Sequence, residues 1–203
     1  MRKAYADGPF GQIHYLDAGH GRPLVLVHQA IMTANQFDYV FAPLIGHGIR
    51  PIALDMPGFG QSDPTPAPAT IADYAAAVSP VLDTLGIRRA AIGGHHTGAL
   101  VSNQFAVTQP ERVSAVILGG PFLPTDAERT ALSADILARE KALVALPDAA
   151  HMVAIAEARQ KYAGDSISPA RIGDYVVQAL AALAHGTTGM ATTRPSPIGR
   201  KNR

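Results

Sequence analysis

The chain has no cysteine and no tryptophan, and only 16% of its 203 residues are charged. Without thiols there can be no disulfide framework, no thiol nucleophile and no zinc–thiolate site. The charge fraction falls below the roughly 25% of ordinary soluble domains. The 17 basic and 16 acidic residues nearly cancel, so no net field recruits nucleic acid or an acidic partner. No apolar run approaches the length of a membrane span. The opening, MRKAYADGPF, has two basic residues but no apolar stretch behind them, which is not the pattern of a signal peptide. The expectation is a cytoplasmic, enzyme-like domain without a membrane partner. Its length suits one domain, and that domain can bury a core without staples.

What is present is an alternation of strand and helix. Residues 13–16 form a short apolar run between Gly11 and Gly19, which predicts a strand ending in a turn. Residues 23–27 (PLVLV), 51–55 (PIALD), 90–93 (AAIG) and 113–118 (VSAVIL) are continuous runs without polar alternation, as expected of parallel strands covered on both faces. Between them, Thr33 or Asn35 can cap a helix carrying Phe37, Val40, Phe41 and Leu44, ended by Gly46 and Gly48. Thr70 opens a second helix, from Ile71 to Leu85 and stopped by Gly86, and a third runs from about 99 to 108. Short connections between such elements predict a doubly wound, mostly parallel α/β sheet. Beyond Gly120 the pattern changes to three successive helices, at 124–143, 147–162 and 167–184.

Two loops carry the chemistry. DMPGFGQSD, at 55–63, directly follows a strand, at the sheet end where such folds keep their sites. Ser62 and Asp63 suit bonds to neighbouring backbone amides in a turn. GHHTG, at 94–98, lies between a buried strand and a helix. Glycine, any residue, nucleophile, any residue, glycine is the pattern of a nucleophile elbow, in which a strand reverses sharply into a helix and thrusts out the middle residue.

With these two loops in place, the chain resembles the α/β-hydrolase fold family, in its epoxide-hydrolase and haloalkane-dehalogenase-like branch, from about residue 13 to 185. VLVH at 25–28 stands where the family has the strand before its oxyanion loop. The resemblance implies an eight-stranded, mostly parallel sheet and a nucleophile–acid–histidine triad. It also implies a helical cap inserted at 123–185 over a core at 1–122, and hydrolysis of a small, largely apolar substrate such as an ester. No cofactor or metal is implied.

The chain departs from the family in three ways. The nucleophile position holds His96. An imidazole there can act covalently, can serve as a base activating water, or can be a polar turn residue without chemistry. Second, His28-Gln29-Ala30 replaces the family's His-Gly, so the oxyanion donors fall to the backbone of Thr97 and of Gln29 or Ala30. The Gln29 side chain can add a donor or fill the hole itself, and His28 reads as a structural hydrogen-bonding residue. Third, no acid or histidine stands at the expected places. Asp126 is the carboxylate nearest the last predicted strand and reads as a helix cap, while His151 and His185 fall on predicted cap helices. This chain is therefore expected to be catalytically impaired, with a non-catalytic ligand-binding domain as the alternative.

The stretch 186–203 has four basic residues and no acidic ones. It reads as a disordered tail or as the product of a frameshift near His185 in a longer hydrolase. Finally, VSAVIL at 113–118 is expected to form an uncharged edge strand through which copies of the chain self-associate.

Overall fold

The computed structural model describes residues 1–66, 69–121, 125, 127–128, 130 and 147–184. A hairpin opens the chain, with β1 (Arg2–Gly8) antiparallel to β2 (Gly11–Asp17). β3 (Arg22–Val27) leads through a 3-10 turn (Ala34–Phe37) and α1 (Asp38–Gly46) to β4 (Ile49–Leu54). Next come α2 (Ile71–Ala76), α3 (Val78–Thr84), β5 (Ala90–His95), α4 (Thr97–Thr108) and β6 (Val113–Gly119). Two further helices, α5 (Ala150–Ala163) and α6 (Pro169–Ala184), follow.

The six strands form one sheet in the order β1-β2-β4-β3-β5-β6, with β4, β3, β5 and β6 parallel and the hairpin antiparallel. The fold is a mostly parallel α/β sheet, as the alternation of elements predicts. From β3 the chain goes to β4 on one side and later to β5 on the other. The order therefore reverses at β3, and a crevice opens at the carboxyl ends of β3 and β5, where open α/β sheets bind ligands.

Both faces of the central strands are covered. Val25, Val27, Ile52, Leu54 and Ile92 pack with Phe59, Tyr74, Val78, Leu82, Val101 and Phe105 in one apolar cluster. Leu24, Leu26 and Ala53 pack with Ala34 and Phe41 in another. Double burial is why β3 and β4 read as unbroken apolar runs.

Three expectations need correction. The helix predicted from 71 to 85 is two helices, broken at Ala77. Pro80 lacks an N–H and its ring clashes with the carbonyl four residues back, at Ala76. β1 is a strand that the sequence reading did not foresee, because only Ala6 of its seven residues is buried. β6 is not a buried strand. Only Val113 is buried, and Val116, Ile117 and Leu118 are 42%, 55% and 43% exposed. It pairs with β5 on one side only. Beyond β6, Thr125 and Glu128 bond each other. The Thr125 hydroxyl accepts from the Glu128 N–H, and the Glu128 carboxylate accepts from the Thr125 N–H and O–H, a reciprocal capping box. Asp126 itself, His185, most of the helix expected at 124–143, and the tail at 186–203 lie outside the described residues.

Candidate active site

Three loops at the carboxyl ends of β3, β4 and β5 build the site. The loop after β4 is its foundation. Asp55 is buried, and its carboxylate accepts from the Ala34 N–H at 2.7 Å and the Gln61 N–H at 3.0 Å, and meets His14 Nδ1 at 2.8 Å. Its carbonyl accepts from the Ser62 hydroxyl, which in turn accepts from the His14 N–H. Asp63 reaches back to the Gln12 N–H at 2.7 Å. One carboxylate thus ties β2, the loop after β3 and its own loop together. Burial pushes the Asp55 carboxyl up, but the His14 hydrogen bond, the nearby His28 ring and the two backbone N–H groups outweigh it, and the net shift is downward. Gly60 has φ +56, and a Cβ there would strike the Asp55 carboxylate. The loop is turn chemistry that places other groups. No sequence signal marked His14, whose partner lies 41 residues away.

His28, at the end of β3, is fully buried. Its Nδ1–H donates to the Gln29 carbonyl at 2.7 Å, and its Nε2 accepts the Met56 N–H at 2.9 Å. An Nε2 that accepts a backbone N–H carries no proton, so the ring is neutral. In agreement, burial drives its pKa down against the opposing pull of Asp55. His28 is therefore a structural strut between two loops.

The turn after β5 has the geometry that its glycines imply. His96 adopts φ 52 and ψ −111 between the strand and α4, a region in which a non-glycine side chain is strained. A Cβ on Gly94 would run into the Gly98 carbonyl, and one on Gly98 into the carbonyl of Val27. Glycine at both positions lets the turn close on itself and press against β3. The His96 N–H donates to the Gly119 carbonyl at 2.8 Å, anchoring the turn to β6. Because Val27 and Gly94 are register partners, the loops after β3 and β5 meet at this corner.

At that corner the Gln29 N–H donates to the Gln36 side-chain carbonyl at 3.0 Å. This engagement argues against Gln29 as an oxyanion donor and leaves the backbone N–H groups of Ala30 and Thr97. Thr97 is 1% exposed, and its hydroxyl has no protein partner. Ile31 adopts φ 75, an outlier for a β-branched residue. Thus, among the described residues, two of the three non-glycine residues at positive φ, Ile31 and His96, flank one corner of the sheet.

The His96 side chain is exposed, and the cavity between the helices α5 and α6 and the sheet domain does not include it. This differs from the enclosed position that an elbow under a cap predicts. The described part of the helical pair packs on Ile31, through Ile155, Val176 and Ala179, and so covers the loop after β3 rather than the apex of the turn. The His96 ring lies 6.4 Å from the His95 ring. Burial, His96 and Arg159, in that order, hold His95 below its ordinary pKa. His151 lies on α5. Among the described residues, no three His, Asp or Glu side chains are grouped to hold a metal, and no helix is long and apolar enough to cross a membrane.

Comparison with known proteins fits this geometry. A family model described as "alpha/beta hydrolase fold" matches residues 22–157, and the chain belongs to that family. It is 33% identical over 120 residues to the (E)-2-((N-methylformamido)methylene)succinate hydrolase of Acinetobacter baylyi, covering 59% of this chain and 45% of that protein. It is 32% identical over 126 residues to a haloalkane dehalogenase of Mycolicibacterium paratuberculosis, covering 59% and 41%. The chain thus spans less than half the length of either relative. The fold also matches a thermophilic esterase from Thermogutta terrifontis, with a TM-score of 0.73 at 21% identity, over 95% of this chain and 71% of the esterase.

Proposed function

We propose that this chain carries a hydrolase site for a small, largely apolar substrate such as an ester, with histidine at the nucleophile position, and that its chemical step is impaired. The observation that carries the reading is His96 at the apex of a strained strand-to-helix turn, at the corner that also holds the backbone N–H groups of Thr97 and Ala30. In a nucleophile elbow, the apical side chain attacks the substrate carbonyl, and two such N–H groups take up the charge on its oxygen. An apical nucleophile or base needs a partner to accept its proton and hold its orientation. Among the described residues, no carboxylate hydrogen-bonds to the His96 ring. The helical pair α5 and α6 serves in this reading as the cap.

A nitrophenyl acetate assay tests the proposal. The chain should release nitrophenol no faster than its His96→Ala variant. Turnover by the parent that disappears in His96→Ala would show a working nucleophile or base and overturn it. A second reading, a non-catalytic domain that binds a small ligand, is favoured by the cavity beneath the helical pair.

A further inference from the structure

α5 and α6 border, with the loop after β3 and α1, a half-open cavity of about 400 Å³, within the range of roughly 300–1,000 Å³ usual for small-molecule sites. Met32, Gln36, Tyr39, Arg159, Arg171 and Tyr175 are among its walls. We infer that this cavity binds a small organic acid, with Arg159 receiving the carboxylate and the aromatic and methionine walls taking an apolar body.

The two arginines differ in how they are compensated. Arg171 stacks on Tyr39, with its guanidinium carbon 4.2 Å from the ring centroid, and lies 3.8 Å from the Asp174 carboxylate. Asp38, at the start of α1, also feels its charge. Arg171 therefore already has anions beside it. Arg159 stacks on Tyr175 at 4.6 Å, and its Nε–H is buried with no acceptor in the protein. No carboxylate among the described residues pairs with it. A buried N–H without an acceptor is costly, and a ligand carboxylate supplies to the half-buried Arg159 what the protein does not. The guanidinium presents adjacent N–H groups in a plane that matches the two oxygens of a carboxylate, and stacking on Tyr175 holds that plane in place. Tyr39, Met32, Ile167 and Tyr175 line the cavity around it, which favours an aryl or alkyl acid over a bare inorganic anion. The same guanidinium acts electrostatically on His95 in the 94–98 turn.

The inference rests on the helical pair's acting as a cover over a ligand, but its readout is binding rather than turnover. Ester hydrolysis by the chain would overturn the proposed impairment and leave Arg159 untouched, and a failed binding test would do the reverse. The experiment titrates the full chain with phenylacetate and with phenylacetamide, its neutral near-isostere, by calorimetry at constant ionic strength. The expected result is that the acid binds at least tenfold more tightly than the amide, and that Arg159→Gln removes the difference. Arg159→Lys, which keeps the charge but not the planar fork, should retain only part of it. Equal affinity for acid and amide in the wild type, or no binding of either, would overturn the assignment without recourse to any variant. So would a preference for the acid that survives in folded Arg159→Gln.

Discussion

Replacing His28 with alanine tests whether the strut between the loops after β3 and β4 holds the site together. The ring is fully buried, donates to the Gln29 carbonyl at 2.7 Å, accepts the Met56 N–H at 2.9 Å, and lies edge-on to Phe59 at 5.4 Å. Truncation orphans one buried donor, the Met56 N–H, at about 1–3 kcal/mol, and leaves the Gln29 carbonyl to the Met32 N–H alone. A cavity where the ring stood adds to this, and the total comes to about 3–5 kcal/mol. For a chain of this size that is a fall in Tm of roughly 10 °C. His28→Gln, which keeps a donor and an acceptor on the side chain, should lose less. The pH dependence gives an independent check. Burial holds the folded His28 pKa below the 6.5 of an exposed histidine. Between those two values the unfolded chain binds a proton that the folded chain does not, so stability is fully present above pH 6.5 and falls as the pH drops below it. The slope from this group approaches about 1.4 kcal/mol per pH unit, and His28→Gln should be shallower by that contribution. Asp55, with its folded pKa also depressed, adds a further loss only once the pH falls below the ordinary carboxylate range. Urea unfolding from pH 7.5 to 5 measures all of this. A wild type equally stable across that range, or a His28→Ala variant within about 1 kcal/mol of the parent, lies far below these magnitudes and would refute the reasoning.

Two further outcomes follow from the backbone. His96 sits at φ 52 and ψ −111, so His96→Gly should raise the urea midpoint by relieving about 1–3 kcal/mol of strain, less the entropy that glycine adds to the unfolded chain; a lower midpoint would show that the turn is not strained. β6 offers Val116, Ile117 and Leu118 on an open edge, and we propose that copies of the chain associate there; Val116→Lys should reduce association by light scattering, whereas a wild type that stays monomeric at high concentration would count against it.

The central sheet was legible in the sequence because β3, β4 and the start of β5 are covered on both faces, and continuous apolar runs follow from that. At β6 the apolar run by itself pointed to burial on both faces. The expectation of an edge strand, met by the sheet order among the described residues, took in the helices that follow it. VSAVIL is as apolar as a central strand, and nothing within six residues records whether a neighbour lies beyond it. β1 is the opposite case, since a strand with one buried residue leaves no pattern. The broken helix could have been read from Pro80, whose ring forbids the hydrogen bond at Ala76. Of the site, the 94–98 turn was readable because its glycines are a steric requirement of the geometry. Its support was not readable. Asp55 meets His14 and Ala34 across 41 and 21 residues of sequence, and Gln36 takes the Gln29 N–H from seven residues away. Such pairings exist only once the sheet order is set.

Strain and packing meet at the loop after β3. A β-branched residue at φ 75 persists only where its surroundings over-determine it, and Ile31 has constraints on each side. Before it, the Gln29 N–H is held by Gln36, and the Gln29 carbonyl accepts from both His28 and Met32. Over it lie Ile155, Val176 and Ala179 of the helical pair. Gln36 and Met32 are also walls of the cavity that Arg159 lines. The side chain that fixes the Gln29 amide thus faces the ligand space, and the helices that border that space clamp the strained residue. An acid bound as proposed would touch Gln36 and Met32, the two residues that hold Gln29 in the loop carrying the Ala30 N–H. The proposed binding beneath the helices should therefore be felt at the loop after β3 through these contacts.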